Sequence, residues 1–347
     1  MKYYSIKRML NSGADYNIIV GGRSNGKSYS VAEMLLDNWQ RHKRKFVRIV
    51  RYLFDMGNDF CDDYFSRALL SKLEESGLTI TYLSPDYRIH SIDEPPKHGE
   101  VIGTCCALSC EQKYKSNQYE DVTDIVIEEF CLADEREYLP DETRRFLSLL
   151  STICRGRNVR VWLIGNTISK YNPYFQLLNV NVDKLRLKPG DFVEVPQPNL
   201  GFESGSAKVC IEFAKMSYEQ MESIPKVLRV MHNDTATTGN YERAEDVIPM
   251  EEMGSAIPKN TLFTIRYENA LYNVACNSPG YPVYVYRIQN GAKAVKTIVL
   301  KWESWEQTFN HTVDNLDVEY RNKWLRGTKI YYSDDQTKHD CRRFLER

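Results

Sequence analysis

Eight consecutive residues, Gly21-Gly22-Arg23-Ser24-Asn25-Gly26-Lys27-Ser28, match the pattern G-x-x-x-x-G-K-S/T in full. Glycines let a backbone wrap until successive amide hydrogens converge on one anion, and a helix starting near Lys27 adds the positive end of its dipole. The pattern predicts that Gly21, Gly22, Arg23, Ser24, Asn25, Gly26, Lys27 and Ser28 cradle the phosphates of ATP. Lys27 is expected to reach the β and γ phosphates, and Ser28 to set its hydroxyl on a magnesium ion (Mg2+) between them. The plainer reading of the same residues is a glycine-rich turn that opens an ordinary helix.

A second chemical centre is Glu128-Glu129-Phe130, which follows the short strand pattern Asp124-Ile125-Val126-Ile127. In phosphate-loop folds the strand beside the loop ends in an acid that anchors magnesium, and hydrolases add an acid that activates water. Glu128 fits the metal role, although aspartate is commoner there, and Glu129 fits the water-activating base. A kinase must keep water off the γ phosphate, so a base at 129 favours hydrolysis. Two surface carboxylates are the plainer alternative. Guanine specificity is disfavoured, because Gly165-Asn166-Thr167-Ile168-Ser169 supplies no Asn-Lys-x-Asp reader.

Arg155 lies in Cys154-Arg155-Gly156-Arg157-Asn158, between a helix and a strand, where its side chain can point outward toward a neighbour's nucleotide. An arginine finger neutralises charge building on the transferring phosphoryl group, worth roughly a thousandfold or more in rate. A pairing with a surface acid is the plainer reading. Asn166, at the end of the same strand, is placed to sense the γ phosphate.

The elements that must position these groups are legible as hydrophobic patterns. Asn17–Val20 reads as a strand, and Val31, Met34, Leu35 and Trp39 recur at helical spacing over 29–39. Phe46–Arg51 follows as a strand after a helix-length crossover, which yields parallel pairing. A helix is expected over 61–77, then strands at 79–83, 87–92 and 101–108 as an antiparallel flap, a helix over 141–153 and a buried strand over 159–164. Proline and glycine signals begin at Pro196, so the chain is expected to divide into an α/β core at 1–197, a linker at 198–255 with one helix near 217–231, and a domain at 256–347. That last domain opens with a three-stranded meander at 263–267, 271–275 and 282–288, with Asn277-Ser278-Pro279-Gly280 as a turn.

At 347 residues with 42% hydrophobic and 27% charged content, two folded domains are expected. No stretch approaches the ~18 consecutive apolar residues of a membrane helix, and the N-terminus lacks the apolar core of a signal peptide, so a cytoplasmic protein is expected. Nine cysteines without framework spacing fit buried free thiols. Cys105, Cys106 and Cys110 come nearest to a metal cluster but lack a second ligand pair. Net charge is −1, yet Arg41–Lys45 and Arg144, Arg145, Arg155, Arg157 and Arg160 are local basic concentrations. The first reads as a solvated helix C-terminus.

The phosphate loop, Lys115-Ser116-Asn117, Ile127-Glu128-Glu129-Phe130, Ile153-Cys154-Arg155 and Asn172-Pro173-Tyr174-Phe175 together resemble the DNA-packaging ATPase of small tailed Bacillus-type phages. The resemblance is dense over residues 15–180. It implies an additional-strand, terminase-like P-loop ATPase in a homopentameric ring, acting in the host cytoplasm and transiently at the portal vertex of the prohead, where it pushes double-stranded DNA inward. On that resemblance Lys27 and Ser28 bind nucleotide and metal, Glu128 completes the metal site, Glu129 activates water, and Arg155 is the finger in trans. Lys115 falls near the subunit boundary and pore, with Arg157 a further candidate there. Partners implied are DNA, the portal (connector) protein and a structural packaging RNA, with no membrane. Larger relatives carry a ribonuclease H-like nuclease after the motor. Here the equivalent first strand, 263–267, has no acid, and Glu268, Asp314 and Asp317 are scattered, so a vestigial nuclease fold in a small α+β domain is expected. A terminase with an active nuclease, and a signalling switch or kinase, are the rival readings.

Overall fold

Strand β1 (Tyr16–Gly21) has Ile18, Ile19 and Val20 fully buried, the near-continuous apolar run of a strand covered on both faces. Around it stand β2 (Lys45–Val50), β3 (Leu78–Leu83), β4 (Asp86–Ser91), β5 (Glu100–Ala107), β6 (Val122–Glu128), β7 (Arg160–Asn166), β8 (Phe192–Val195) and β9 (Val209–Ala214). They form one nine-stranded sheet in the order β3-β4-β5-β2-β6-β7-β1-β9-β8. The six inner strands, β5 to β9 in that order, pair in parallel, while β3, β4 and β8 join antiparallel at the edges. The antiparallel flap expected from residues 79–108 is thus the β3-β4-β5 edge.

In this computed structural model the chain divides into two compact units, Met1–Glu242 and Arg243–Arg347. The structure describes residues 3–57, 61–132, 138–167, 172–199, 201, 205–222 and 226 of the first, and 260–267, 270–278, 281–288, 296–302, 311–312, 319, 321–323, 325 and 327–345 of the second. The distal part of the helix expected near 217–231, Pro279 and Gly280 of the turn, and the acids Glu268, Asp314 and Asp317 lie outside the described residues.

Helices cover both faces of the first sheet. On one face α1 (Lys7–Ser12), α2 (Lys27–His42) and α3 (Arg67–Glu74) close a core that takes Val31, Met34, Leu35 and Trp39 from α2. On the other, α4 (Glu142–Cys154), α5 (Pro173–Leu177) and α6 (Val182–Leu185) close a core around Phe130, Phe146, Tyr174 and Phe175. The basic run 41–45 sits at the end of α2, as its charge predicts: Arg41 pairs with Asp37 at 2.6 Å and Lys43 lies 3.7 Å from the Trp39 ring centre.

Two expectations need correction. The helix expected over 61–77 narrows to α3, because Ser66 adopts an extended conformation directly before it and Gly77 turns the chain at φ 73°. The expected boundary at 197 falls too early: β9 is buried along its whole length and pairs with β1. Its apolar residues Val209, Cys210, Ile211, Phe213 and Ala214 complete the first sheet, and the proline and glycine turns before them mark a loop rather than the end of the unit. After β9 the chain makes the short helix α7 (Tyr218–Glu222).

The second unit is built on β10 (Thr261–Tyr267), β11 (Ala270–Cys276), β12 (Val283–Ile288), β13 (Thr297–Trp302), β14 (His311–Thr312) and β15 (Ile330–Tyr332), followed by α8 (Asp335–Leu345). The sheet order is β14-β13-β10-β11-β12-β15. β10, β11 and β12 form the expected antiparallel meander, and β13 returns parallel to β10. Phe263, Ile265, Val274, Val283 and Val285 point into its core with Cys341 and Phe344 of α8.

Candidate functional site

The loop from β1 to α2 is held in a shape few residues can take. A Cβ on Gly21 would fall 2.5 Å from the carbonyl oxygen of Ala214 on β9, so only glycine fits there. Ser24 and Gly26 turn the chain at φ 58° and 93°, and α2 begins at Lys27. Asn25 is 1% exposed and faces the protein rather than solvent. Its Nδ2 donates to the Ala214 carbonyl at 3.3 Å and its Oδ1 accepts from the Lys27 amide at 3.3 Å. Its own carbonyl accepts from the Tyr4 amide at 3.0 Å and from Gln220 Nε2 at 3.1 Å. The Asn25 side chain is therefore an anchor of the loop, while the residue still lines the cleft.

Lys27 Nζ donates to the carbonyls of Gly22 (2.6 Å) and Gly21 (3.0 Å) and to Asn166 Oδ1 (3.4 Å). None of these partners is an anion, and burial pushes its pKa down from 10.5 to about 7. The group is set to gain strongly from an incoming polyanion. Lys27 and Asn166 line a cleft of about 370 Å3 together with Arg23 to Ser28, Arg48, Glu128 and Glu129. The exposed Arg23, Ser24 and Ser28 lie at its loop side.

The carboxylates arrive on the strand expected to carry them, β6, but that strand is not the immediate neighbour of the loop strand. β6 is not beside β1: β7 stands between them, ending in Asn166. This inserted strand is the additional strand implied by the resemblance, and it sets Glu128 and Glu129 across the cleft from the loop. Glu129 turns out of β6 at φ 52°, in the left-handed region, and is exposed. Phe130 next to it is fully buried, 5.9 Å and 5.6 Å from the rings of Tyr174 and Phe175. Gly165 on β7 makes room for it, since a Cβ there would come within 2.8 Å of Phe130 Cε1. Asn172 caps α5 by accepting from the Phe175 amide at 2.9 Å. The Asn172-Pro173-Tyr174-Phe175 motif thus pins the residue that follows the two acids.

Arg48 of β2 is a site residue that motif reading missed. It is 4% exposed, lines the cleft, donates to Glu128 Oε2 at 3.1 Å and to the Tyr87 hydroxyl at 2.9 Å, and lies 4.6 Å from the Tyr64 ring centre. The signal for it was an arginine at the middle of the apolar strand Phe46-Val47-Arg48-Ile49-Val50. A second buried pair braces the same region: Arg51 donates to both oxygens of Glu142 at 2.9 and 3.0 Å, and Tyr174 donates to Glu142 at 2.7 Å.

The basic concentration near α4 resolves residue by residue. Arg144 pairs with Asp141, Arg145 with Glu111 and Arg160 with the buried Asp124. Arg157 donates to the carbonyls of Tyr119 (2.5 Å), Ile153 (2.8 Å) and Cys154 (3.2 Å), and so caps the C-terminus of α4. Arg157, a candidate for the pore or the subunit boundary, is thus bonded within its own chain. Arg155 is exposed and turns the chain at φ 41°, and its side chain donates to the Lys115 carbonyl at 2.9 Å. Arg155 and Lys115 therefore share one exposed patch, and neither lines the cleft. Cys105 and Cys106 are buried free thiols on β5.

A sequence profile of the Podovirus DNA encapsidation protein (Gp16) family matches residues 1–218. The DNA packaging protein of Bacillus phage phi29 is 27% identical over 217 residues, covering 59% of this chain and 59% of its own length. That of Bacillus phage B103 is 28% identical over 176 residues, covering 48% of this chain and 49% of its own. The chain thus spans less than two thirds of the length of the curated relatives it matches. In three dimensions it is similar to the Phi-28 gp11 DNA packaging motor, with a TM-score of 0.54, 17% identity and coverage of 99% of this chain and 95% of the other. It is likewise similar to the bacteriophage Phi-29 viral genome packaging motor assembly, with a TM-score of 0.53, 18% identity and 99% coverage of each. These structural likenesses establish a shared fold.

Proposed function

The chain belongs to the Podovirus DNA encapsidation protein (Gp16) family, and from that premise we propose that it is an ATP-driven translocase that packages double-stranded viral DNA into a preformed capsid. The observation that carries the reading is the cleft itself. A buried lysine with only neutral partners faces two carboxylates and an asparagine across an inserted strand.

The residues present fit a magnesium nucleotide. The loop amides and Lys27 hold the β and γ phosphates. Ser28 and Glu128 would hold the metal, which when bound neutralises charge on the phosphates. Arg48 occupies Oε2 of Glu128 and so orients the carboxylate that would hold the metal. Glu129 takes a proton from the attacking water, and Asn166, bonded to Lys27, reports whether a γ phosphate is present.

Arg155 acts on a neighbouring copy. Its exposure beside Lys115, off its own cleft, supports a finger in trans and a closed homo-oligomeric ring, read as a pentamer at the portal vertex of the prohead in the host cytoplasm. DNA contact is with phosphates, since a packaging motor accepts every sequence, and so weakens steeply with salt. The portal (connector) protein and a structural packaging RNA are the remaining partners in this reading. The second unit has the strand order β12-β11-β10-β13 with β13 parallel to β10, which supports a ribonuclease H-like ancestry. β10 carries no acid, so the unit serves nucleic-acid or subunit contacts rather than cleavage.

The test is DNA-stimulated ATP hydrolysis. Glu129→Gln should abolish turnover while nucleotide still binds, and Arg155→Ala should abolish it yet be rescued in mixed rings by Lys27→Ala subunits. Turnover by Glu129→Gln at the wild-type rate would sink the catalytic assignment, and failed rescue the finger in trans.

A further inference from the structure

Tyr3 lies against the phosphate loop without a packing reason to be aromatic. A Cβ on Gly26 would meet Tyr3 Cβ at 3.1 Å and its ring Cδ1 at 3.3 Å, so the ring edge abuts the residue just before Lys27. Yet Tyr3 is 55% exposed, and a solvent-facing ring contributes little to a core. The segment carrying it is nevertheless held firmly. The Tyr4 amide donates to the Asn25 carbonyl (3.0 Å), Ser30 Oγ donates to the Tyr4 carbonyl (2.7 Å), and the Tyr4 hydroxyl donates to Glu212 (2.7 Å). A flat apolar face is thus presented on a rigid strut at the rim of the loop.

The loop that would hold the phosphates ends at Gly26, where α2 begins and where Tyr3 abuts the chain beside the cleft-lining stretch 23–29. We propose that Tyr3 is the base-stacking residue of the nucleotide site, its ring taking the purine of the triphosphate that the loop holds. Every base has a π face, so stacking holds it without reading its edge. The assignment rests on the reading of the loop as a triphosphate cradle.

The experiment is equilibrium binding of magnesium ATP and of magnesium tripolyphosphate, which lacks the nucleoside, to the full chain. Tyr3→Leu keeps an apolar cover on Gly26 but removes the π face. It should weaken ATP by about tenfold and leave tripolyphosphate unchanged, while Tyr3→Phe should hold ATP within about twofold of wild type. Wild-type ATP affinity in Tyr3→Leu would overturn the stacking role, and so would an equal loss of both ligands, which would mark Tyr3 as a prop for the loop. If the wild-type chain bound neither ligand, the triphosphate cradle itself would fail, a result distinguishable from either.

Discussion

Protons should be taken up when magnesium ATP binds, and by how many depends on pH through Lys27. Burial without an anionic partner lowers its pKa from 10.5 to about 7, a gap worth roughly 5 kcal/mol against the ammonium form in the free protein. Phosphate oxygens beside Nζ favour the ammonium and return the group toward or above its ordinary value. Binding then requires uptake of roughly 0.9 of a proton at about pH 8, and only roughly 0.1 at about pH 6, where Lys27 is already charged. The sign for stability follows the same logic. The unfolded lysine keeps its proton up to 10.5 whereas the folded one loses it near 7, so the free protein gains stability as pH rises between those values. Titration calorimetry in two buffers of different ionisation enthalpy counts the protons directly. Lys27→Arg is the control, because a guanidinium stays charged throughout and should give no buffer dependence. If wild type shows no uptake at about pH 8, Lys27 is already an ammonium before nucleotide arrives and the burial reasoning fails.

Two further substitutions probe the supports of the site. Arg51→Ala strands the Glu142 carboxylate, whose side chain is 1% exposed, and should cost about 3–5 kcal/mol in urea unfolding; a loss under about 1 kcal/mol would show that the pair does not brace α4 and α5. Gly165→Ala sets a methyl 2.8 Å from Phe130 Cε1 and should cost about 1–3 kcal/mol, lowering turnover more than ATP affinity because Phe130 pins Glu129; a larger effect on affinity than on turnover would reverse that order.

The loop motif, the two glutamates and the inward face of α2 were legible because each is a local pattern, carried by neighbouring residues or by one helical period. The place of β7 between β1 and β6 was not, since strand order is a property of the closed sheet. Nor was the Arg48–Glu128 pair, whose partners meet across adjacent strands from distant parts of the chain; only the oddity of a charge within Phe46–Val50 pointed to it. β9 was hidden by the turn residues before it. The bonds of the Asn25 and Arg157 side chains go to backbone groups that no spacing rule identifies.

Asn25 joins the loop to the N-terminal segment at Tyr4, to β9 at Ala214 and to α7 at Gln220. A displacement of the loop by an arriving or departing phosphate must strain these bonds or carry their partners with it. The strand-to-helix corner it would carry along is the stretch from which the chain continues toward its second unit. The loop is thereby tied to three separate stretches of the first unit through a single amide-bearing side chain and its carbonyl, and loosening that linkage would let the loop shift without moving them.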